Sequence, residues 1–281
     1  MRRSRITITI TNDILNKIDL LIDKQTIRNR SHAIENILDK YTQLNVHKAI
    51  ILAGGKGTEL RPYTYELPKA LLPVNGKPLL EHLIIQLKEN NVTDIIISIS
   101  YLGEKIKEYF KDGSQWGVKI SYSEEAESLQ TGGAVKILED KVGNDTFLVI
   151  HGDILTDFSF EDFIKFHKDQ NSLVTVALTT SAHPTEFGQI KLHGTHLTEF
   201  YSHTEDHGTK SHLINTGIYA FNSSIFSEFP KDQKKFDLED VIKRLISKKQ
   251  VTGFVFEGNW FDVGNPENYE KAIKSLHLSP L

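Results

Sequence analysis

Three features of this 281-residue sequence have the residue types and spacing for phosphate chemistry. The first is a glycine-rich stretch, Leu52-Ala53-Gly54-Gly55-Lys56-Gly57-Thr58-Glu59-Leu60-Arg61-Pro62, followed closely by Lys69. Glycines directly after a buried strand let backbone N–H groups approach phosphate oxygens, and a nearby lysine adds a mobile positive charge for a transferring phosphoryl group. The stretch fits neither the dinucleotide fingerprint nor the Walker A spacing, so by itself it is a weak signal. The other two features are Asp153, in His151-Gly152-Asp153, and Asp262, in Trp260-Phe261-Asp262-Val263-Gly264. Each ends an apolar segment and is followed by turn residues. Either one alone reads as a turn cap. Taken with the glycine loop and Lys69, the pair reads as the protein's share of a Mg²⁺ site whose remaining ligands come from phosphates and water.

Composition narrows the chemistry further. There is no cysteine, which excludes disulfides, thiolate metal sites and cysteine nucleophiles and leaves oxygen or imidazole to hold any metal. The twelve histidines form no helical His-x-x-x-His pair, and the crowd from His183 to His212 reads as solvated loop residues, with His203 the one worth testing against a phosphate. Phe236, Asp237, Glu239 and Asp240 read as the first turn of a helix, serving its N-terminus rather than catalysis. No apolar run is long enough to cross a membrane, and the basic N-terminus alternates where a signal peptide would be solidly apolar, so a cytoplasmic protein without a membrane partner is expected.

The elements that must position these residues follow from periodicity. Apolar runs over Lys48 to Ala53, Asp94 to Ser100, Phe147 to Ile150 and Leu173 to Leu178 predict buried strands. Helical patterns over Leu79 to Asn90, Gly103 to Lys111 and Phe160 to Asp169 fall between them. This alternation predicts an α/β domain over residues 48–281 with a mainly parallel sheet, and ligands in such sheets sit at the carboxyl ends of the strands, where the motifs fall.

Residues 1–45 differ in character, carrying eight Lys/Arg against five Asp/Glu, while the rest of the chain has a net charge of −7. Arg5 to Thr11 alternates and is β-branched, which predicts a strand with Ile6, Ile8 and Ile10 on one face and Arg5, Thr7 and Thr9 on the other. Thr11, Asn12 and Asp13 precede one helical pattern, and a second helix is expected to start near Ser31. One strand and two short helices bury too little apolar surface alone, so the unit is expected to pair with a second copy.

This head resembles the ribbon-helix-helix DNA-binding family. The resemblance implies that Arg5, Thr7 and Thr9 read base edges and that the backbone at Ser31 holds a DNA phosphate. A dimerisation arm without DNA is the competing reading. The larger part, through Pro68-Lys69, Leu72-Pro73-Val74-Asn75-Gly76-Lys77-Pro78, Leu129-Gln130-Thr131-Gly132-Gly133-Ala134, Asn215-Thr216-Gly217 and both aspartate motifs, resembles the sugar-1-phosphate nucleotidyltransferases. Mannose-1-phosphate guanylyltransferases and glucose-1-phosphate thymidylyltransferases are the subgroups it most resembles. That resemblance implies a Rossmann-like fold of GT-A type, and a nucleoside triphosphate joined to a sugar 1-phosphate with release of pyrophosphate. It implies catalysis by Lys69, Asp153 and Asp262, the two aspartates holding Mg²⁺. It implies nucleotide binding by Leu52, Ala53, Gly54, Gly55, Gly57, Thr58, Glu59, Gln130, Gly132 and Gly133. Gly188, His203, Asn215 and Thr216 would bind the sugar phosphate.

Two positions depart from the family pattern: Glu59 stands where an arginine contacts the triphosphate, and Ser202-His203 where glutamate and lysine face the sugar phosphate. An anion beside a polyphosphate is unfavourable, by roughly 4 kcal/mol at about 4 Å and an effective dielectric of about 20. These departures motivate an alternative, a regulator whose transferase-like domain senses a nucleotide without turnover.

Overall fold

The computed structural model describes residues 7–23, 25–43, 46–202 and 207–276. The chain divides into two compact units, Met1–Asn45 and Val46–Leu281. The first contains helices α1 (Asn12–Leu20) and α2 (Arg30–Gln43). Among its described residues no strand forms, so the expected strand over 5–11 is absent at 7–11. A lone extended segment has no partner to satisfy its backbone groups, and the unit offers it none. Arg5 lies outside the described residues; Thr7, Thr9 and Ser31 are exposed. The start of α2 is already capped, because Asn29 Oδ1 accepts from the His32 N–H at 2.9 Å and Arg30 pairs with Asp19 at 2.6 Å.

The second unit is built on thirteen strands and seven further helices, all among the described residues. In chain order these are β1 (Lys48–Leu52), the hairpin β2 (Pro73–Val74) and β3 (Lys77–Pro78), α3 (Leu79–Glu89), β4 (Asp94–Ile99), α4 (Gly103–Phe110) and β5 (Lys119–Glu124). Then come α5 (Gln130–Lys136), α6 (Glu139–Val142), β6 (Phe147–His151), β7 (Ile154–Thr156), α7 (Phe160–Gln170), β8 (Val174–Thr180), β9 (Gln189–His193) and β10 (His196–Tyr201). The chain closes with β11 (Leu213–Phe221), α8 (Leu238–Ile246), β12 (Val251–Val255), β13 (Trp260–Asp262) and α9 (Pro266–Leu276).

Nine strands form one sheet in the order β5-β4-β1-β6-β11-β8-β12-β10-β9. The expected mainly parallel sheet is only half right, for the sheet is mixed. β5, β4, β1 and β6 are parallel, as are β8 and β12, but β11 runs antiparallel to both β6 and β8, and β10 antiparallel to β12 and β9. The reason lies in the β9–β10 hairpin: the turn at Gly194-Thr195 reverses the chain, and β11 keeps the direction of β10, opposite to β6, β8 and β9, where it lies between β6 and β8.

Strand alternation separates two cores. Ala49, Ile51, Ile95, Ile97, Leu148 and Ile150 face α3, α4 and α7, whereas Ile50, Ile96, Phe147, Val149 and Tyr219 face α5 and α8. A third cluster, Leu60, Leu72, Val74, Leu79, Leu155, Val263 and Ala272, ties the segment after the glycine loop to β7, β13 and α9. It is this small core that fixes Lys69 beside both aspartates. No helix among the described residues is long and apolar enough to cross a membrane.

Candidate active site

β1 and β6 are parallel neighbours in a register that sets Leu52 opposite His151, so the loops leaving both strands emerge side by side. Gly152 permits that approach: a Cβ there would lie 3.1 Å from the Ala53 Cβ and from the Leu52 carbonyl oxygen. Just beyond, β7 and β13 pair antiparallel with Ile154 opposite Asp262, and the Val263 N–H donates to the Asp153 carbonyl at 3.0 Å. This two-stranded ribbon brings together Asp153, from the middle of the unit's sequence, and Asp262, from near its end. Lys69 completes the group. Its ammonium donates to Asp153 Oδ2 and lies 3.8 Å from Asp262 Oδ1.

The charges in this cluster are strongly interdependent. Burial, then the negative charge of Asp153, pushes the Asp262 carboxyl up to about 7. Burial also opposes ionisation of Asp153, but Lys69 and His151 hold it below the usual carboxylate range. Lys69 is desolvated too, yet Asp153, Asp262 and Glu59 raise its pKa and keep it charged. Burial holds His151 below its ordinary value. One oxygen of each aspartate, Asp153 Oδ1 and Asp262 Oδ1, is buried with no hydrogen-bond partner. Two carboxylate oxygens without donors, on side chains that share Lys69, fit a hard divalent cation. No group of three or more His, Cys, Asp or Glu side chains among the described residues is placed to hold a metal, so such an ion would take its other ligands from phosphate and water.

A cavity of about 240 Å³ opens beside the cluster, lined by Leu52, Gly54, Gly55, Ser100, Glu125, Ser128, Gln130, Thr131, Ala134, His151 and Asp153. At Gly55 a Cβ would meet nothing within 4 Å, so backbone is presented to open space there. Gly57 adopts φ +59°, held by the Thr64 hydroxyl donating to its carbonyl at 2.6 Å. Ala53 is buried with its N–H on the Ser98 carbonyl, and Thr58 is exposed.

The other expected binding residues are less uniform. Gln130, at φ +60°, lines the cavity. Gly132 and Gly133 pack against the 234–236 backbone and spend their N–H groups on the Phe236 carbonyl, so their glycine identity serves packing. Asn215 holds Tyr219 and the Gly217 N–H, and the Thr216 hydroxyl donates to the Ala177 carbonyl at 2.7 Å. Gly188 lets Phe200 pass, since a Cβ would lie 2.9 Å from that ring. His203 lies outside the described residues. Glu59 is exposed, and its charge acts on both Lys69 and Asp262, while Arg61 lies over the Tyr65 ring at 5.1 Å.

Sequence reading missed Glu125, Asp237 and Glu239. Glu125 lines the cavity, anchored by Ser98 and the Leu129 N–H at 2.7 and 2.9 Å. Asp237 accepts from Gln130 Nε2 at 2.8 Å and from the Thr131 hydroxyl at 3.1 Å. Glu125 lies in the loop before α5, and it is the spatial pairing of α5 with α8, invisible to periodicity, that sets Asp237 beside Gln130 at the cavity.

Comparison with known proteins agrees with this geometry. The model of the family described as nucleotidyl transferase matches residues 48–278. The bifunctional protein GlmU of Methanocaldococcus jannaschii is 38% identical over 233 residues, 81% of this chain and 54% of its own length. A mannose-1-phosphate guanylyltransferase of Mycobacterium tuberculosis is 31% identical over 231 residues, 81% of this chain and 64% of its own length. The chain thus spans 54 to 64% of these two relatives. Among solved structures, a putative glucose-1-phosphate thymidylyltransferase from Bacillus anthracis, in complex with a sucrose, superposes with a TM-score of 0.77 at 27% identity, covering 83% of this chain and 96% of that one. HddC from Yersinia pseudotuberculosis, complexed with GMP-PN, gives a TM-score of 0.68 at 26% identity, covering 82% and 99%. With the paired aspartates, the lysine between them and the glycine loop all falling inside the matched span, the chain belongs over residues 48–278 to the nucleotidyl transferase family.

Proposed function

We propose that the second unit joins a nucleoside triphosphate to a sugar 1-phosphate, releasing pyrophosphate, with Mg²⁺ held by Asp153 and Asp262. The observation that carries this reading is the convergence of two carboxylates on one lysine, each carboxylate with a buried oxygen lacking a donor. An oxygen of the sugar phosphate attacks the α-phosphorus in line, the bond to the β-phosphate oxygen breaks, and pyrophosphate leaves. No covalent enzyme intermediate is required. Lys69 neutralises charge at the α-phosphate, and the backbone from Gly54 to Thr58 holds the triphosphate. The cavity walled by Ser100, Glu125, Ser128 and Gln130 takes the base. Bound Mg²⁺ would add Lewis-acid neutralisation of the same oxygens. The donor and acceptor are metabolites of the cytoplasm, which places the reaction there.

The test is direct: incubate the protein with each of four nucleoside triphosphates and a panel of sugar 1-phosphates, and identify products by mass spectrometry. A nucleotide sugar from one pair is expected. Tight nucleotide binding with no product from any pair would instead support the sensor reading, which the anionic Glu59 favours. For the first unit, Ile8, Ile14, Leu20 and Leu21 are 51, 48, 85 and 45% exposed, which favours pairing with a second copy. DNA binding by that paired head is the finer reading. A dimer by light scattering and a salt-dependent shift of a palindromic DNA library, lost on Arg5→Ala, are expected; no shift at low salt removes the DNA claim.

A further inference from the structure

We infer that Glu239, in the first turn of α8, reads the ring hydroxyls of the sugar, and is thereby a specificity-determining residue for a neutral, hydroxyl-bearing sugar. The inference rests on the nucleotidyl-transfer reading and names the part of the substrate that one further side chain meets.

Four observations converge on this carboxylate. First, its Oε2 accepts from the Ser202 hydroxyl at 3.1 Å, which orients it along the end of β10. Second, its Oε1 stands over the start of β9, 3.5 Å from where a Cβ on Gly188 would be, beside the Phe200 ring that fills the space the glycine leaves. Third, the Gly188 carbonyl beside it accepts from the Asn215 N–H at 2.8 Å, and two residues along β11 a Cβ on Gly217 would lie 2.9 Å from the His151 ring, which ties this corner of the fold to the turn that carries Asp153. Fourth, among the described residues Glu239 makes no ion pair, although Lys243 lies one turn along the helix, over the Phe200 ring at 5.6 Å. Asp240, its neighbour in sequence, is exposed.

A carboxylate that is oriented but not neutralised can accept hydrogen bonds and nothing else. Facing a phosphate it would repel; facing the hydroxyls of a pyranose it accepts two hydrogen bonds from neighbouring oxygens, each stronger for its charge. The aspartates, Lys69 and the glycine loop already account for the phosphate end of the substrate. Glu239 lies away from them, across Gly188 and Asn215, where the sugar ring would extend.

The test measures how much the sugar moiety adds to binding. Calorimetry on the full-length protein compares GDP-mannose with GDP, UDP-N-acetylglucosamine with UDP, and dTDP-glucose with dTDP, for wild type, Glu239→Ala and Glu239→Gln. In the wild type at least one nucleotide sugar is expected to bind more tightly than its diphosphate. Glu239→Ala should cut that advantage about tenfold, the range for a hydrogen bond to a charged group, and leave the diphosphate affinity within about twofold. Glu239→Gln, which keeps one accepting oxygen and the side-chain shape, should fall between the two and also serves if the alanine variant does not fold. Equal weakening of diphosphate and nucleotide sugar would show a structural role and overturn the inference. So would an unchanged advantage in both variants, or a wild type that binds no nucleotide sugar better than its diphosphate. Failure of catalysis is read separately: a protein that shows the Glu239-dependent advantage but forms no nucleotide sugar in the substrate panel refutes the reaction and leaves the sugar contact standing.

Discussion

Replacing Asp262 by asparagine should make the metal-free protein more stable while abolishing its activity, and the size of the gain follows from the site. With Asp262 pushed up to about 7 by burial and by Asp153, ionising it in the folded state at pH 8 is opposed. A shift of roughly three units corresponds to about 4 kcal/mol at most. The side chain is 35% exposed, so solvent screening reduces that to about 2 kcal/mol. For a unit of this size the gain corresponds to roughly 4–8 °C in melting temperature. The sign depends on pH in a defined way. A carboxyl raised in the folded state stabilises fully below its unfolded value and loses that contribution as pH climbs through the folded one. The advantage of Asp262→Asn should therefore be largest at pH 8 and shrink toward zero near pH 4. Differential scanning fluorimetry without divalent ions measures it, and the stabilisation Mg²⁺ gives the wild type at pH 8 should be missing in the variant. An asparagine variant that melts lower than wild type at pH 8, or whose advantage does not change with pH, would refute the account of two carboxylates crowded around one lysine.

Other outcomes follow from the same structure. Lys69→Met keeps the stem but leaves both aspartates without their cation; the loss of a charge contact worth about 4 kcal/mol at an effective dielectric of about 20 should lower kcat/KM by about a thousandfold in a pyrophosphate-release assay. Glu59→Arg should raise turnover or tighten triphosphate binding about tenfold, and unchanged kinetics would show that this side chain does not meet the phosphates. His167, held at about 4 by burial and set 2.7 Å from the Thr175 hydroxyl, is neutral in the fold. It favours the unfolded chain once that chain can protonate it, so on the order of 3 kcal/mol of stability should drain away between about pH 6.5 and 4, as urea titrations at stepped pH would measure.

Much of this was legible before the fold was known, and for identifiable reasons. β1, β4, β6 and β8 are buried on both faces, so they read as unbroken apolar runs, and the glycine loop, Asp153 and Asp262 stand at or beside strand ends. β9 and β10 escaped because their histidines, Lys191 and Glu199 disguise strands with one wet face. Strand direction could not be read at all: β11 is an apolar strand in either sense, and it runs antiparallel to β6 and β8 in keeping the direction that the β9–β10 hairpin sets. The convergence of Asp153 and Asp262 was an expectation from motif context, and the β7–β13 ribbon supplies its physical cause. Gly132 and Gly133 show the limit of the method, since a glycine needed for packing against Phe236 looks the same in sequence as one needed for a ligand. Asp237 and Glu239 were read as helix-start residues; they do open α8, but the pairing of α8 with α5 and β10 also turns them toward the site.

The measurement that bears most directly on the central claim is pyrophosphate release with Mg²⁺ by the wild type and by Asp153→Asn side by side, each first shown to be folded by circular dichroism. The account predicts release by the wild type with at least one pair of nucleoside triphosphate and sugar 1-phosphate, and a loss of at least about a hundredfold in the variant. Equal release by both proteins would contradict it.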